Sequence, residues 1–448
     1  MKVISRSSAM RYKGTDKPLS QIAQELGVEA IVEGSVFRAG DDVRITAQLI
    51  HVATDSHLLS ENYTGTLENI FKLQGEVAMA IAEAIRVTVT PEEETRIASA
   101  KPVDPEAYDL YLRGLQASYG SLQGVTRSVT LFDQALAIAP DFALAWVKKS
   151  LGHAVVASLV PQAYELQSKL ANEAADKAIA LAPDESEAYY ARFFMRYSSL
   201  DWYGAKETAD FAFALNPNLA VTNLALGMLE VTRGDSVAAQ KHLERAYELD
   251  PHSPHIALFA GFYFAAAFNP GRGLQILDQL IAEQPDSLGT HFIRALCLLQ
   301  LERSDDALAA FEQSAGRMGS LGNLIRAYGY AQQGRMDEAR EIESLIVNAS
   351  PSVVPPEFLA IYYVLAGDIG QALTHFEKAM EKPSVNVVNS LRSIPFGMPS
   401  SVLNIAEITT DDRYWQLIDR MNLPPFPLGH PGYEAQQKWE IKKSEARP

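Results

Sequence analysis

A single cysteine, Cys297, stands in 448 residues. No intrachain disulfide can form, and a thiolate metal site would need further ligands that the sequence does not cluster around it. Long apolar runs are also missing. The amino terminus, MKVISRSSAM, has no continuous apolar core of a leader peptide, and the most apolar later stretch, 257–268, falls well short of the roughly 20 residues that span a bilayer. Positive charge is scarce, with 39 Lys and Arg against 55 Asp and Glu for a formal net charge of −16. So negative a surface is repelled by phosphate backbones and anionic bilayers, which argues against nucleic-acid binding or membrane insertion by this chain. Neither a phosphate-loop pattern nor a GxGxxG fingerprint occurs, and the glycines of FNPGRGLQ, Gly271 and Gly273, read as turn residues.

What is present is an ordinary globular composition, 47% hydrophobic and 21% charged, long enough for about three domains or one elongated array. The array is visible as a period. Pro183, Pro217, Pro251 and Pro285 are each 34 residues apart, and each follows a helical run and precedes another helix start, as in ALAPDESEAYY, ALNPNLAVTN, ELDPHSPHIAL and EQPDSLGTHF. Small residues recur at fixed offsets where two helices cross closely: Gly227, Ala239 and Ala246, then Gly261 and Gly273, then Ala295 and Ala307. Larger residues recur between them at Leu243, Leu277 and Phe311. Farther along, YGYAQQGRMDEAREIESLIV and IYYVLAGDIGQALTHFEKAM keep the pattern through Ala327, Tyr330, Ala339, Ala360, Tyr363, Gly367, Ala372, Phe376 and Ala379. At the front, Phe132, Ala135 and Pro140 fit one unit, and the longer step to Pro183 implies an insertion around 155–164.

This pattern resembles the tetratricopeptide repeat, a helix-turn-helix unit that stacks into a superhelix. The resemblance implies a mostly α fold of about eight helical pairs over 105–390. Its end units need caps, because one pair cannot bury its apolar stripe alone. The segment 391–427 is the expected cap, with DDRYWQLIDRMNLPPFP read as a final amphipathic helix stopped by prolines. Residues 428–448 are expected to form a flexible tail.

Before residue 90 the period changes. Val43, Ile45, Ala47 and Leu49 alternate with polar neighbours, the signature of a half-buried strand. EAIVEGSVFR reads as a preceding strand joined through the turn AGDD, and HLLSENYTG reads as a third. LSQIAQELG and LENIFKLQGEVAMAIAEAI read as flanking helices, the latter with Ile70, Leu73, Val77, Ile81 and Ile85 on one face. The run from IAQELG to AIAEAI resembles the TolB-like amino-terminal domain that precedes tetratricopeptide repeats in bacterial signalling proteins. Against that family, 1–90 lacks an opening strand and helix and is expected to be a partial α+β domain, with 91–104 as a linker. The resemblance also implies an output domain ahead of such a module: a class III adenylate cyclase, a winged-helix transcription regulator or a kinase.

No catalytic constellation emerges, so no enzymatic activity, cofactor or metal is expected. His252 and His255 form an HxxH pair without a nearby carboxylate-rich partner, His51 and His57 flank a hairpin turn, and Glu92, Glu93 and Glu94 open a linker helix where carboxylates suit the dipole. Cys297, among apolar neighbours, reads as a buried inert thiol. The repeat resemblance further implies that the first helix of each pair lines a concave face. On this chain those positions include Tyr190, Phe194, Tyr197, Leu224, Met228, Leu258, Phe262, Phe292 and Leu296, an apolar and aromatic groove, although the same side chains could instead pack between units.

The expected function is a non-catalytic scaffold that binds a protein or peptide in that groove. The alternative is the regulatory portion of a signalling protein whose output domain lies outside this chain. A cytoplasmic location is expected, or a periplasmic one if a membrane-spanning segment precedes the chain. The proline-rich stretch 422–433 is a further candidate for masking the groove.

Overall fold

A computed structural model describes residues 3–86, 90, 102–117, 122–159, 163–285, 287–313, 319–348, 356–381, 405–421, 423–428, 430 and 432–445. The chain divides into two compact units, 1–191 and 192–448.

Unit 1 opens with α1 (Arg6–Met10), capped by the Ser5 side chain, and α2 (Leu19–Leu26), which ends at Gly27 in the left-handed region. Three antiparallel strands follow in the order β1 (Ala30–Ala39), β2 (Asp42–His51) and β3 (Ser56–Thr66). The β1–β2 hairpin turns at Gly40, whose φ of 63° an L side chain rarely adopts. The β2–β3 ladder carries a register shift at Leu49/Ile50. Alternation along β2 places Val43, Ala47 and Leu49 on one face, and there α3 (Ile70–Ala84) packs against β2 and β3.

The small sheet does not form a core by itself. Val43, Leu67, Ile70 and Leu73 share one core with Tyr108 and Tyr111 of α4 (Pro105–Ala117) and with Phe132 of α5 (Leu122–Ile138). Phe71 meets Tyr108 edge-on with ring centroids 5.4 Å apart. The expected linker 91–104 therefore needs correction at its end. Val103 is buried in this core, and its N–H donates to the Glu68 carbonyl at 3.0 Å. An apolar residue within reach of the open core is more stable inside it than in water. Residues 91–101 lie outside the described residues.

The next pair, α6 (Ala143–Leu159) and α7 (Tyr164–Leu181), is 17 and 18 residues long. The later pair α10 (Ala220–Arg233) and α11 (Ser236–Leu249) has 14 in each helix. The insertion read from the sequence thus appears as longer helices. The boundary between the units falls inside α8 (Ser186–Ser198), which is followed in unit 2 by α9 (Trp202–Leu215).

Further pairs in unit 2 are α12 (Pro254–Ala266) with α13 (Pro270–Glu283), and α14 (Leu288–Gln300) with α15 (Ser304–Gln313). They are followed by α16 (Gly319–Gln332) with α17 (Met336–Asn348), and α18 (Pro356–Leu365) with α19 (Ile369–Ala379). Counted from α4, the described residues contain eight pairs. Close crossing explains the small residues: a Cβ on Gly227 or Gly261 would come within 2.7 or 2.6 Å of Leu243 or Leu277 on the partner helix.

One turn recurs inside six of the pairs. Leu200, Gly234, Phe268, Glu302, Gly334 and Gly367 all have positive φ, between 58° and 86°. At four of them the next residue caps the second helix: Asp201, Asp235, Asn269 and Asp368 accept from the N–H three residues on. A left-handed residue closes one helix and a short acceptor opens the next, which turns the chain in very few residues.

After the pairs come α20 (Ile405–Thr410), α21 (Asp412–Arg420) and α22 (Tyr433–Glu445). Tyr414, Trp415, Leu417 and Ile418 of α21 are buried, α21 packs on α19, and Arg420 donates to the Met380 carbonyl at 3.4 Å, so this helix caps the last pair. The expectation of a flexible tail over 428–448 is corrected. Most of it is α22, tied to α21 by Trp439 Nε1 and Lys443 on Asp419 and by Lys442 on Asp412. These partners lie 20 to 30 residues apart and carry no local signal.

The segment between α21 and α22 is a strap laid over the repeated turns. Trp202 Nε1 donates to the Met421 carbonyl at 3.1 Å. His430 stacks on Phe426 at 4.0 Å and 3° between rings, and packs at 5.6 Å against Phe268. Phe426 is 2% exposed, and its N–H donates to Gln436 Oε1 at 2.6 Å. Leu200, Phe268 and Glu302 show that this turn accepts larger residues. At Gly234 a larger residue would crowd the strap, because a Cβ would lie 3.0 Å from His430 and 3.2 Å from Phe426.

Candidate functional site

The first helices of the pairs in unit 2 present two kinds of apolar side chain. Tyr197, Leu224, Met228 and Phe292 are buried, whereas Phe194, Leu258, Phe262 and Leu296 remain partly exposed. Tyr197 shows why the first set is withdrawn. Its hydroxyl lies 2.7 Å from Thr232 Oγ1 and 3.3 Å from the Tyr263 hydroxyl, and its ring meets Trp202 edge-on at 5.5 Å. It therefore ties α8, α10 and α12 together from inside. Phe292 packs edge-on against Phe358 at 5.9 Å.

The partly exposed set gathers on α12 and its neighbour. Phe259 meets Phe194 edge-on at 6.5 Å and His255 at 4.8 Å, and Phe262 meets Tyr263 at 5.1 Å. The result is a half-buried aromatic row of Phe194, His255, Phe259 and Phe262 with Leu258 beside it. Phe259 was missing from the sequence expectation. Helix α12, PHIALFAGFYFAA, is apolar on every side, so no stripe marks the face that stays open.

The two histidines of the HxxH pair diverge. His252 Nδ1 lies 3.0 Å from Glu283 Oε1, while His255 packs against Phe259 with the rings tilted by 49°, and burial pushes its imidazole pKa down to about 4 against the pull of Asp250. Among the described residues no three His, Cys, Asp or Glu side chains converge as metal ligands would. Cys297 is fully buried, and burial pushes its thiol up to about 12, which leaves it a poor nucleophile.

Unit 1 presents different chemistry. Tyr190 is buried there, beside a half-buried ion pair between Lys148 of α6 and Glu187 of α8. Burial opposes the Lys148 charge, but Glu187 and Tyr111 outweigh it and hold the ammonium pKa above its usual range. Burial pushes the Tyr111 phenol up to about 12, and it raises Glu185, with the charge of Glu187 adding to the effect. Such a pair has its charges already matched. Lys148 went unnoticed in the sequence because its partner lies 39 residues away on another pair.

The paired helices, their close crossings and the repeated turn agree with a family model described as the tetratricopeptide repeat. Residues 263–320 match it. Among solved tetratricopeptide repeat structures, the chain is similar to a thermophilic protein of Thermus thermophilus, at 18% identity and a TM-score of 0.36 over 43% of this chain and 99% of that one. It is also similar to YrrB, described as having an unusual peptide-binding site, at 16% identity and a TM-score of 0.28 over 48% and 97%. A human IFIT1 dimer with m7Gppp-AAAA aligns at 15% identity and a TM-score of 0.41 over 85% and 88%. Among curated proteins, putative adenylate cyclase 3 of Rhizobium meliloti (strain 1021) is 47% identical over 115 residues, 26% of this chain. The match spans 20% of that relative's length. No helix among the described residues is long and apolar enough to cross a membrane.

Proposed function

We propose that this chain is a non-catalytic scaffold whose repeats bind an apolar segment of another protein. The observation that carries this reading is the half-buried row Phe194, His255, Phe259 and Phe262, in which three aromatic side chains of α12 gather on one face beside Phe194 of α8. A pre-formed aromatic surface gains affinity from apolar burial without first ordering itself, and it suits an amphipathic helix or an extended apolar peptide. Of the nine groove positions drawn from the sequence, Phe194, Leu258, Phe262 and Leu296 are the ones available for contact. Tyr197, Leu224, Met228 and Phe292 are buried within unit 2, and Tyr190 is buried in unit 1.

The test is selection of peptides from a display library on the intact chain, followed by titration against Phe262→Ala and Phe194→Ala. Truncating an anchor costs about 2 kcal/mol, which weakens binding by roughly 30-fold. Selected peptides that bind both variants as tightly as the parent would remove the aromatic row from the site.

The 47% identical stretch shared with a putative adenylate cyclase favours a second reading, in which the chain regulates a linked output domain. Replacing the matched stretch of that relative with the one from this chain tests it. Retained, regulated cyclase activity supports the second reading, and a catalytically intact but unregulated chimera rejects it.

A further inference from the structure

Among the described residues, strand β1 is bonded to β2 on one side only. The Glu29 carbonyl accepts from the Val52 N–H at 3.0 Å, in step with the β1–β2 register, so odd-numbered residues of β1 turn their backbone groups toward β2. Ala30, Val32, Gly34, Val36 and Arg38 turn theirs outward. Natural edge strands are blunted by charged side chains, proline, a bulge or a covering element. Here β1 contains no proline, its two charged residues are Glu33 and Arg38, of which Arg38 reaches Asp109 of α4 at 3.7 Å, and the register shift of the sheet lies in the β2–β3 ladder. Helix α3 covers β2 and β3 and leaves Val32 and Val36, on the same face, 50% and 68% exposed; Phe37, on the other face, is 64% exposed.

We propose that β1 is the contact between two copies of this chain, paired antiparallel about a two-fold axis at Gly34 so that two three-stranded sheets become one. In that register each outward-facing residue meets an outward-facing residue, which completes the hydrogen-bond ladder. Val32 faces Val36 of the second copy, and on the opposite face Ile31 faces Phe37. Glu33 faces Ser35 and Arg38 faces Ala30, so no like charges meet. Moving the axis to Glu33 or Ser35 sets Val32 against Gly34 or Arg38 and loses the valine pairs. An axis at Val32 or Val36 would pair only one valine with its own copy, so the Gly34 register is the one that brings all four valines into pairs across a self-complementary two-fold contact.

Sedimentation of the full chain across micromolar concentrations tests the pairing. The expected result is a dimer, converted to monomer at the same concentrations by Val36→Lys, with an unchanged circular dichroism spectrum because the position is exposed. The register is read by disulfide formation. Glu33 and Ser35 of two copies stand opposite each other in a non-hydrogen-bonded pair, where side chains are closest, and the native thiol Cys297 is buried. A mixture of Glu33→Cys and Ser35→Cys chains should cross-link on oxidation far more than either variant alone. A chain that is monomeric throughout overturns the proposal, including one whose β1 amides are protected by another strand of the same polypeptide. A dimer indifferent to Val36→Lys, or cross-linking no better in the mixture, overturns it as well.

Discussion

The β1 edge in unit 1 and the row of repeated turns in unit 2 are both places where backbone reaches the surface in a regular array. Along β1, large apolar side chains stand in solvent beside outward-facing backbone groups. Along the turns at Leu200, Gly234 and Phe268, the strap brings Met421, Phe426 and His430 down onto the array. The difference shows in residue choice. Gly234 is constrained by what covers it, whereas every side chain of β1 from Val32 to Ala39 is exposed. A covered turn resists substitution, whereas exposed side chains such as Val36 on the open edge can be changed; Gly34 is the exception there, because a Cβ would collide with the Thr46 carbonyl oxygen.

The largest expected effect is on the strap itself. Phe426→Ala removes a buried ring that stacks on His430 beside Gly234 and should destabilise unit 2 by about 3–5 kcal/mol, read as a lower urea midpoint. Acid should act next. The His255 imidazole is neutral in the fold down to about pH 4, while the unfolded chain takes up its proton near 6.5. Stability is therefore full above that range and falls as pH drops through it, by up to about 1.4 kcal/mol per pH unit. His255→Leu should remove this component from the difference between urea curves measured across the interval; an unchanged slope would show that His255 does not carry it.

Gly234→Ala should cost about 2 kcal/mol, from the left-handed backbone and the crowding by His430 together, and clearly more than Glu302→Ala at the equivalent turn. Equal effects at the two turns would mean that the strap does not restrict Gly234. The smallest effect belongs to the open edge. Val36→Lys should shift the thermal midpoint of the separated chain by an amount equivalent to less than about 0.5 kcal/mol. A larger loss would mean that β1 is covered within its own chain, and the contrast between the two arrays would fail.

What could be read beforehand divides along the same line. The eight pairs were legible because Pro183, Pro217, Pro251 and Pro285 mark a local period, and the hairpin was legible because AGDD sits between alternating strands. The strap was not. Its prolines read as a helix stop, and the polar sequence of α22 looks frayed until Asp412 and Asp419 of α21 are brought beside its lysines. On the groove, the period located the first helices but not the depth of each side chain. Tyr197 and Phe262 look alike in sequence, and only the convergence of Thr232 and Tyr263 on the Tyr197 hydroxyl separates an internal tie from a contact surface.

The hydrogen bond from Trp202 to Met421 joins residues 219 apart. Stacked repeats ordinarily grow from neighbour to neighbour, so an early repeat can settle while later ones are still being made. Here the turns at Leu200, Gly234 and Phe268 wait for a segment synthesised long after them, as the 219 residues between Trp202 and Met421 show. Closing so long a loop costs conformational entropy before any contact is gained, which slows the last step of folding. During synthesis the opening repeats of unit 2 thus stay unsealed until the strap has emerged, and a chain that stops before it leaves them so.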